Sequence, residues 1–222
     1  MLDELSRKLR VSARGMARAG LVHAYGHCSA RIDEKSFLVT PSKALGLIKP
    51  GEELVTVSLE GELPPGALPE VILHQEIFRR RPDVRAIARF QSPNVMALSA
   101  LGRTSRVRHG FGSYFSPCPP MHRDPRLVRD RPSARTAAET LGSARALVLR
   151  GNGAVTTGAT LEEAVTMAWY LEDAARVELV VLATGLEANE YSPDEVRDRA
   201  ITGGRLIERM FEWLTAGDPE TT

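Results

Sequence analysis

The chain of 222 residues carries 29 Lys+Arg against 28 Asp+Glu, with 43% hydrophobic and 26% charged residues. That length buries one sizeable core, and the near-neutral balance gives no global attraction to nucleic acid or to an anionic membrane. No apolar run approaches the roughly 18 residues of a membrane-spanning helix, and the two cysteines, Cys28 and Cys118, are too few for a disulfide framework. The N-terminus LDELSRKLR lacks the layout of a signal or transit peptide, so a reducing, cytoplasmic setting is expected.

Leu2, Leu5, Leu9 and Met16 recur at helical spacing, which predicts an amphipathic helix over 2–19, stopped at Ala-Gly before Leu21. SFLVT (36–40) and LVTVSL (54–59) read as strands separated by PSKALGLIKPGE, and Gly61, Pro64, Pro65 and Gly66 mark a loop. A helix follows from about Pro69 to Arg80, with the proline in its first turn, where a missing N–H costs nothing. VRAIARF (84–90) reads as a buried strand, and Pro93 opens a short helix. Periodicity is lost over 103–132, a stretch rich in arginine and proline; long irregular segments in compact domains are often functional. SARTAAETL (133–141) is a helix with Ser133 as candidate N-cap, ALVLR (146–150) and AVTTG (154–158) are strands around an RGNG turn, and Thr160 precedes a long helix. Ser192-Pro193-Asp194-Glu195 opens a last helix running to about Trp213. With no repeat or linker, a single domain over 1–222 is expected, its tail GDPETT (217–222) frayed.

Four ordered segments resemble the class II aldolase/adducin family: GHCSARID (26–33), FLVTPS (37–42), LPEVILHQEIFRRRPDVRAIARFQSPNVMALS (68–99) and LRGNGAVTTGATLEEA (149–164). The resemblance runs over roughly 5–185 and implies a three-layer α/β/α fold around a central, largely antiparallel sheet. It also implies a C4 homotetramer with active sites at subunit interfaces. Members of that family include sugar-phosphate aldolases and epimerases, decarboxylases of aromatic-pathway acids, and adducin-like proteins without catalysis.

The departures from the family pattern bear on the chemistry. Where the family holds a divalent metal with a His-x-His pair and a third histidine, this chain has Arg89, Gln91 and Asn152. Amide oxygens are neutral and a guanidinium has no lone pair to give, so no metal and no other cofactor is expected at that site. Glu70 matches the family's acid/base. The expected catalytic set is therefore Glu70, Arg89, Gln91 and Asn152, with Arg89 in the metal's place as stabiliser of an enolate or grip for a carboxylate. Leu68 and Pro69 stand where sugar-phosphate members hold phosphate with serines, which points to a small non-phosphorylated carboxylic acid, aromatic or from secondary metabolism.

His27, Ser29, Ser42, Lys43, His109 and Tyr114 are the candidate substrate-binding residues. Turn chemistry serves equally for His27 and Ser29, a solvated role is the default for Lys43, and His23 and His74 read as structural histidines. A glutamate at a helix start also complements the helix dipole. Decarboxylation or retro-aldol cleavage is the leading expectation. Isomerisation, dehydration or hydrolysis on the same scaffold, and a silent adducin-like assembly protein, stand as alternatives. The arginines between 103 and 135 alternate with acids and read as surface or interface groups; the expected partners are a small carboxylate and copies of this chain, not nucleic acid or membrane.

Overall fold

The computed structural model describes residues 2–221. The chain runs through α1 (Leu2–Arg18), β1 (His27–Arg31), β2 (Ser36–Val39), β3 (Val55–Ser58), α2 (Ile72–Arg80), β4 (Ala86–Phe90) and α3 (Pro93–Ala100). It continues with β5 (Met121–His122), α4 (Arg131–Leu141), β6 (Ala146–Leu149), β7 (Ala154–Gly158), α5 (Leu161–Thr184), α6 (Pro193–Arg199) and α7 (Leu206–Thr215). The strands form one sheet in the order β3-β2-β1-β4-β7-β6-β5. Every neighbouring pair is antiparallel except β5 with β6.

The period of two along a strand sorts the side chains into two cores. Cys28, Ala30, Ala88, Phe90 and Ala154 face one side, under α1, α5 and α7, against Leu9, Met16, Val165, Ala168 and Leu171. Phe37, Val39, Ile87, Leu147 and Val155 face the other, against Leu73, Ile77 and Phe78 of α2 and Ala134, Ala137 and Leu141 of α4. This is the expected three-layer α/β/α arrangement. Ile77 and Phe78, 0% and 1% exposed, each stabilise the second core by roughly 1.5–3 kcal/mol at full burial.

Four local expectations are corrected. The GHCSAR segment, read as a turn, is the strand β1, hydrogen-bonded to β2 on one side and β4 on the other. The N-cap of α4 is Asp130, whose carboxylate accepts from the Ser133 N–H at 2.8 Å, so Pro132 falls in the first turn. The last predicted helix is two helices. Gly203 and Gly204 interrupt it and Arg205 takes a left-handed φ of 58°, because consecutive glycines cost more backbone entropy than a helix interior returns. The tail expected to fray is held: Asp218, 2% exposed, and Glu220 bind Arg14 at 2.6 and 2.7 Å, and Glu220 also binds Arg10 at 2.6 Å. Three arginines on one face of α1 thus meet an acidic C-terminus, with Arg18 completing the set at 3.0 Å from Asp218. No helix among the described residues is long and apolar enough to cross a membrane.

Candidate active site

The site grows from the second face of the sheet. Register pairs His27 directly with Arg89 across β1 and β4, and alternation puts Ser29, Ile87 and Arg89 on the side covered by α2. Two glycines allow the close approach. Gly26 has φ 149°, and a Cβ there would stand 2.5 Å from Val22 and 3.0 Å from the Arg89 carbonyl. Gly153 has φ 77°, and a Cβ would fall 2.0 Å from the Phe90 carbonyl and 2.7 Å from the Gln91 Cα. Only glycine fits either place.

The result is a cavity of about 590 Å³ whose lining includes His27, Ser42, Lys43, Glu70, Arg89 and Gln91, with Leu68, Leu127 and Arg129 around them. Arg89 lies deep, 5% exposed. Its one hydrogen bond runs from Nη1 to the Phe90 carbonyl at 2.8 Å, and no acid among the described residues pairs with it. Burial drags its pKa down to about 10, against the pull of the Glu70 carboxylate, so it stays cationic at neutral pH. A charge this buried with so few partners is costly to fold around and is a strong receptor for an anion.

Glu70 sits in a short 3-10 turn, Pro69–Val71, that leads into α2. Its Oε1 accepts from Arg129 Nε at 2.8 Å and lies 2.8 Å from the same residue's Nη2. Gln91 Nε2 donates to Asn152 Oδ1 at 2.5 Å, so Asn152 reaches the cavity only through Gln91. Lys43 Nζ is bound by both oxygens of Glu52 at 2.9 Å, while Ser42 is exposed at the rim.

Beneath the cavity the rings of His27 and His74 lie 4.5 Å apart. His74 is fully buried, its Nδ1 2.6 Å from Ser29 Oγ, and burial beside Arg89 lowers its pKa to about 3. His27 is pushed down by burial, then by His74 and Arg89. Both imidazoles are therefore neutral, and His27 Nδ1 and His74 Nε2 have no hydrogen-bond partner. Ser29, a candidate for substrate contact, is 0% exposed and spends its hydroxyl on His74, so it shapes the site from below.

His109 and Tyr114 do not line this cavity. The His109 Nδ1 caps a 3-10 turn by accepting from the Phe111 and Gly112 N–H groups, and Nε2 lies 3.2 Å from Asp173 without hydrogen-bond geometry. Tyr114 packs against Tyr170 in the first core and donates to the Ile201 carbonyl. Residue counting cannot show on which face of a sheet an irregular segment lands. Arg129 escaped the sequence reading because it was one among many surface arginines; the usable signal was its place just before the N-cap Asp130, which ties its backbone down.

The donor set does not suit the divalent ion that the fold family implies. Arg89 carries a positive charge into the place, Gln91 and Asn152 satisfy each other, and no cluster of three His, Cys, Asp or Glu side chains exists among the described residues. No catalytic step is derived through a metal.

Residues 7–179 match the model of the class II aldolase and adducin N-terminal domain, and the chain belongs to that family. It is 28% identical over 217 residues to 3,4-dihydroxyphthalate decarboxylase of Arthrobacter keyseri, covering 88% of this chain and 86% of that one. It is also 28% identical to 3-oxo-tetronate 4-phosphate decarboxylase of Haemophilus influenzae, over 82% and 88% of the two chains. Among solved structures, L-fuculose 1-phosphate aldolase from Glaciozyma antarctica PI12 superposes with a TM-score of 0.79 at 22% identity, over 95% of this chain and 88% of that one, which shows the fold. The relatives named here are two decarboxylases and an aldolase.

Proposed function

We propose that the chain is a carbon–carbon lyase that decarboxylates a small, non-phosphorylated carboxylic acid, or cleaves it by a retro-aldol step, without a metal. The observation that carries this reading is Arg89, a buried guanidinium without an acid partner, in the cavity that also holds Glu70. In decarboxylation the bond from the substrate carbon to its carboxylate breaks and CO2 leaves. The electron pair moves onto a conjugated carbonyl oxygen, which in a hydroxylated aromatic acid is that of the ring ketone formed when the carbon is protonated first; there the Arg89 guanidinium meets the developing charge and Gln91 donates beside it. Glu70 in its acid form delivers a proton to the carbon and regains one from solvent. In the retro-aldol case Glu70 takes the proton of the substrate hydroxyl as the carbon–carbon bond opens to a carbonyl and an enolate, and the same guanidinium holds the enolate.

Support for decarboxylation comes from the decarboxylase relatives that match most of the chain, and support for a substrate without phosphate comes from the dihydroxyphthalate relative alone and from Leu68 and Pro69, which bring no hydroxyl to the cavity wall. The proposed assembly is a homotetramer, for which Val180, Leu186 and Trp213, 60%, 75% and 62% exposed, supply uncovered apolar surface; light scattering measures it. The activity test is a panel of hydroxylated aromatic and oxo acids followed by NMR and CO2 detection. Glu70→Gln is expected to cost about 10²–10⁴-fold in turnover, and Arg89→Met to abolish it. Full turnover in both variants would refute the assignment.

A further inference from the structure

The cavity holds two guanidiniums against one carboxylate. Arg89 is buried in its depth; Arg129, whose side chain is 54% exposed, has Glu70 as its only ion-pair partner among the described residues. The backbone of Arg129 is pinned on both sides: Val128 is 4% exposed in the core, and Asp130 caps α4. Its long, exposed side chain can therefore leave Glu70 without disturbing the fold. In the free protein Arg129 occupies an oxygen of the group that has to move the proton.

We propose that Arg129 is a specificity-determining residue that binds a second anionic group of the substrate, so that the substrate is a dianion, in the simplest case a dicarboxylate, and its binding frees Glu70. This rests on the lyase reading above. Arg89 takes one oxyanion at depth. The retained carboxylate then draws Arg129 away from Glu70 in a two-pronged contact. Glu70, stripped of its cation and facing an anion, takes a proton from solvent and becomes the acid that the next step consumes. A monocarboxylate satisfied by Arg89 leaves the Glu70–Arg129 pair closed and the acid unarmed.

The other groups around Glu70 do not compete for that proton. His27 from β1 and His74 from α2 are held neutral by burial and by Arg89. Lys43, from the loop between β2 and β3, is already bound to Glu52. Arg89 from β4 remains charged throughout.

The test uses titration calorimetry with non-reacting pairs, benzoate against phthalate and propionate against succinate, in buffers of different ionisation enthalpy near pH 6. The wild type is expected to bind the dianion of a pair at least about tenfold more tightly than the monoanion and to take up protons only with the dianion. Arg129→Gln should erase that preference and the proton uptake while keeping the monoanion affinity, Arg129→Lys should restore part of both, and Glu70→Gln should remove the uptake and, with Arg129 left unpaired, bind the dianion at least as tightly as the wild type. Equal affinities for both members, an unaffected Arg129→Gln, or dianion binding without proton uptake overturns the inference; if Arg89→Met still abolishes binding, the lyase reading survives. No binding by any of the four acids, or undiminished binding by Arg89→Met, brings down the reading beneath it as well.

Discussion

Replacing Arg89 by methionine should make the protein more stable and catalytically dead. Burial lowers the Arg89 pKa from the ordinary arginine value to about 10, and at about 1.4 kcal/mol per unit this is roughly 3 kcal/mol held against the charged form. Methionine keeps an apolar stem of similar length and loses one hydrogen bond, that to the Phe90 carbonyl, which is worth about 1 kcal/mol. The net expectation is a gain of about 2 kcal/mol, in line with the outcome when poorly compensated buried charges give way to packed apolar side chains. For a chain of 222 residues that corresponds to a rise in Tm of roughly 4–8 °C. Scanning calorimetry of the ligand-free protein at pH 7 measures it, alongside turnover. A fall in Tm of several degrees would refute the reasoning, because it would show that the fold needs the charge that we assign to the substrate.

Four further outcomes are expected. Gly153→Ala should destabilise by more than about 3 kcal/mol and weaken activity in any folded fraction, because the new Cβ collides with the backbone of Phe90 and Gln91; a denaturant melt within 1 kcal/mol of wild type would contradict it. Stability should fall on acidification in two stages, read from urea midpoints across pH. His74 has a folded pKa of about 3, below its ordinary 6.5, so its contribution is complete above 6.5 and lost towards 3; Asp218 and Glu220, both near 2 when folded, lose theirs between about 4.5 and 2. Asp218→Asn should cost about 3–5 kcal/mol at pH 7 by leaving Arg14 partly unpaired, and a flat midpoint from pH 7 to 3 would refute the His74 part. Finally, exhaustive chelation should leave turnover unchanged, and metal content after zinc or manganese exposure and desalting should stay below about a tenth per chain; near one ion per chain would restore a metal-dependent mechanism.

Much of this molecule is written in local pattern. Apolar runs bounded by Gly and Pro located β2, β4, β6 and β7 to within a residue or two, because a strand buried on both faces is mostly apolar. The cap of α5 at Thr160, whose hydroxyl accepts from the Glu163 N–H at 3.1 Å, follows from first-turn chemistry that acts over three or four residues, whereas the helix expected from Pro69 opens as a 3-10 turn and α2 begins only at Ile72. That Arg89, Gln91 and Asn152 stand where the family resemblance implies imidazoles was likewise an expectation drawn from the sequence, since the flanking residues set the register.

Tertiary structure decided what depends on residues far apart in the chain. β1 is polar enough to pass for a turn, and only its pairing with β2 and β4 makes it a strand. The fraying expected of a polar tail gave way to charge pairing with α1 across 204 positions, a contact that no local preference encodes. Which side chains line the cavity is a question of face and depth, and the packing of α5 and α2 leaves His109, Tyr114 and Ser29 out of its wall. The same packing brought Arg129 to Glu70 across 59 positions. Sequence thus determined which groups the chain carries and the period on which they lie; the fold determined which charges were left buried and unpaired, because that depends on what the rest of the chain fails to bring near them.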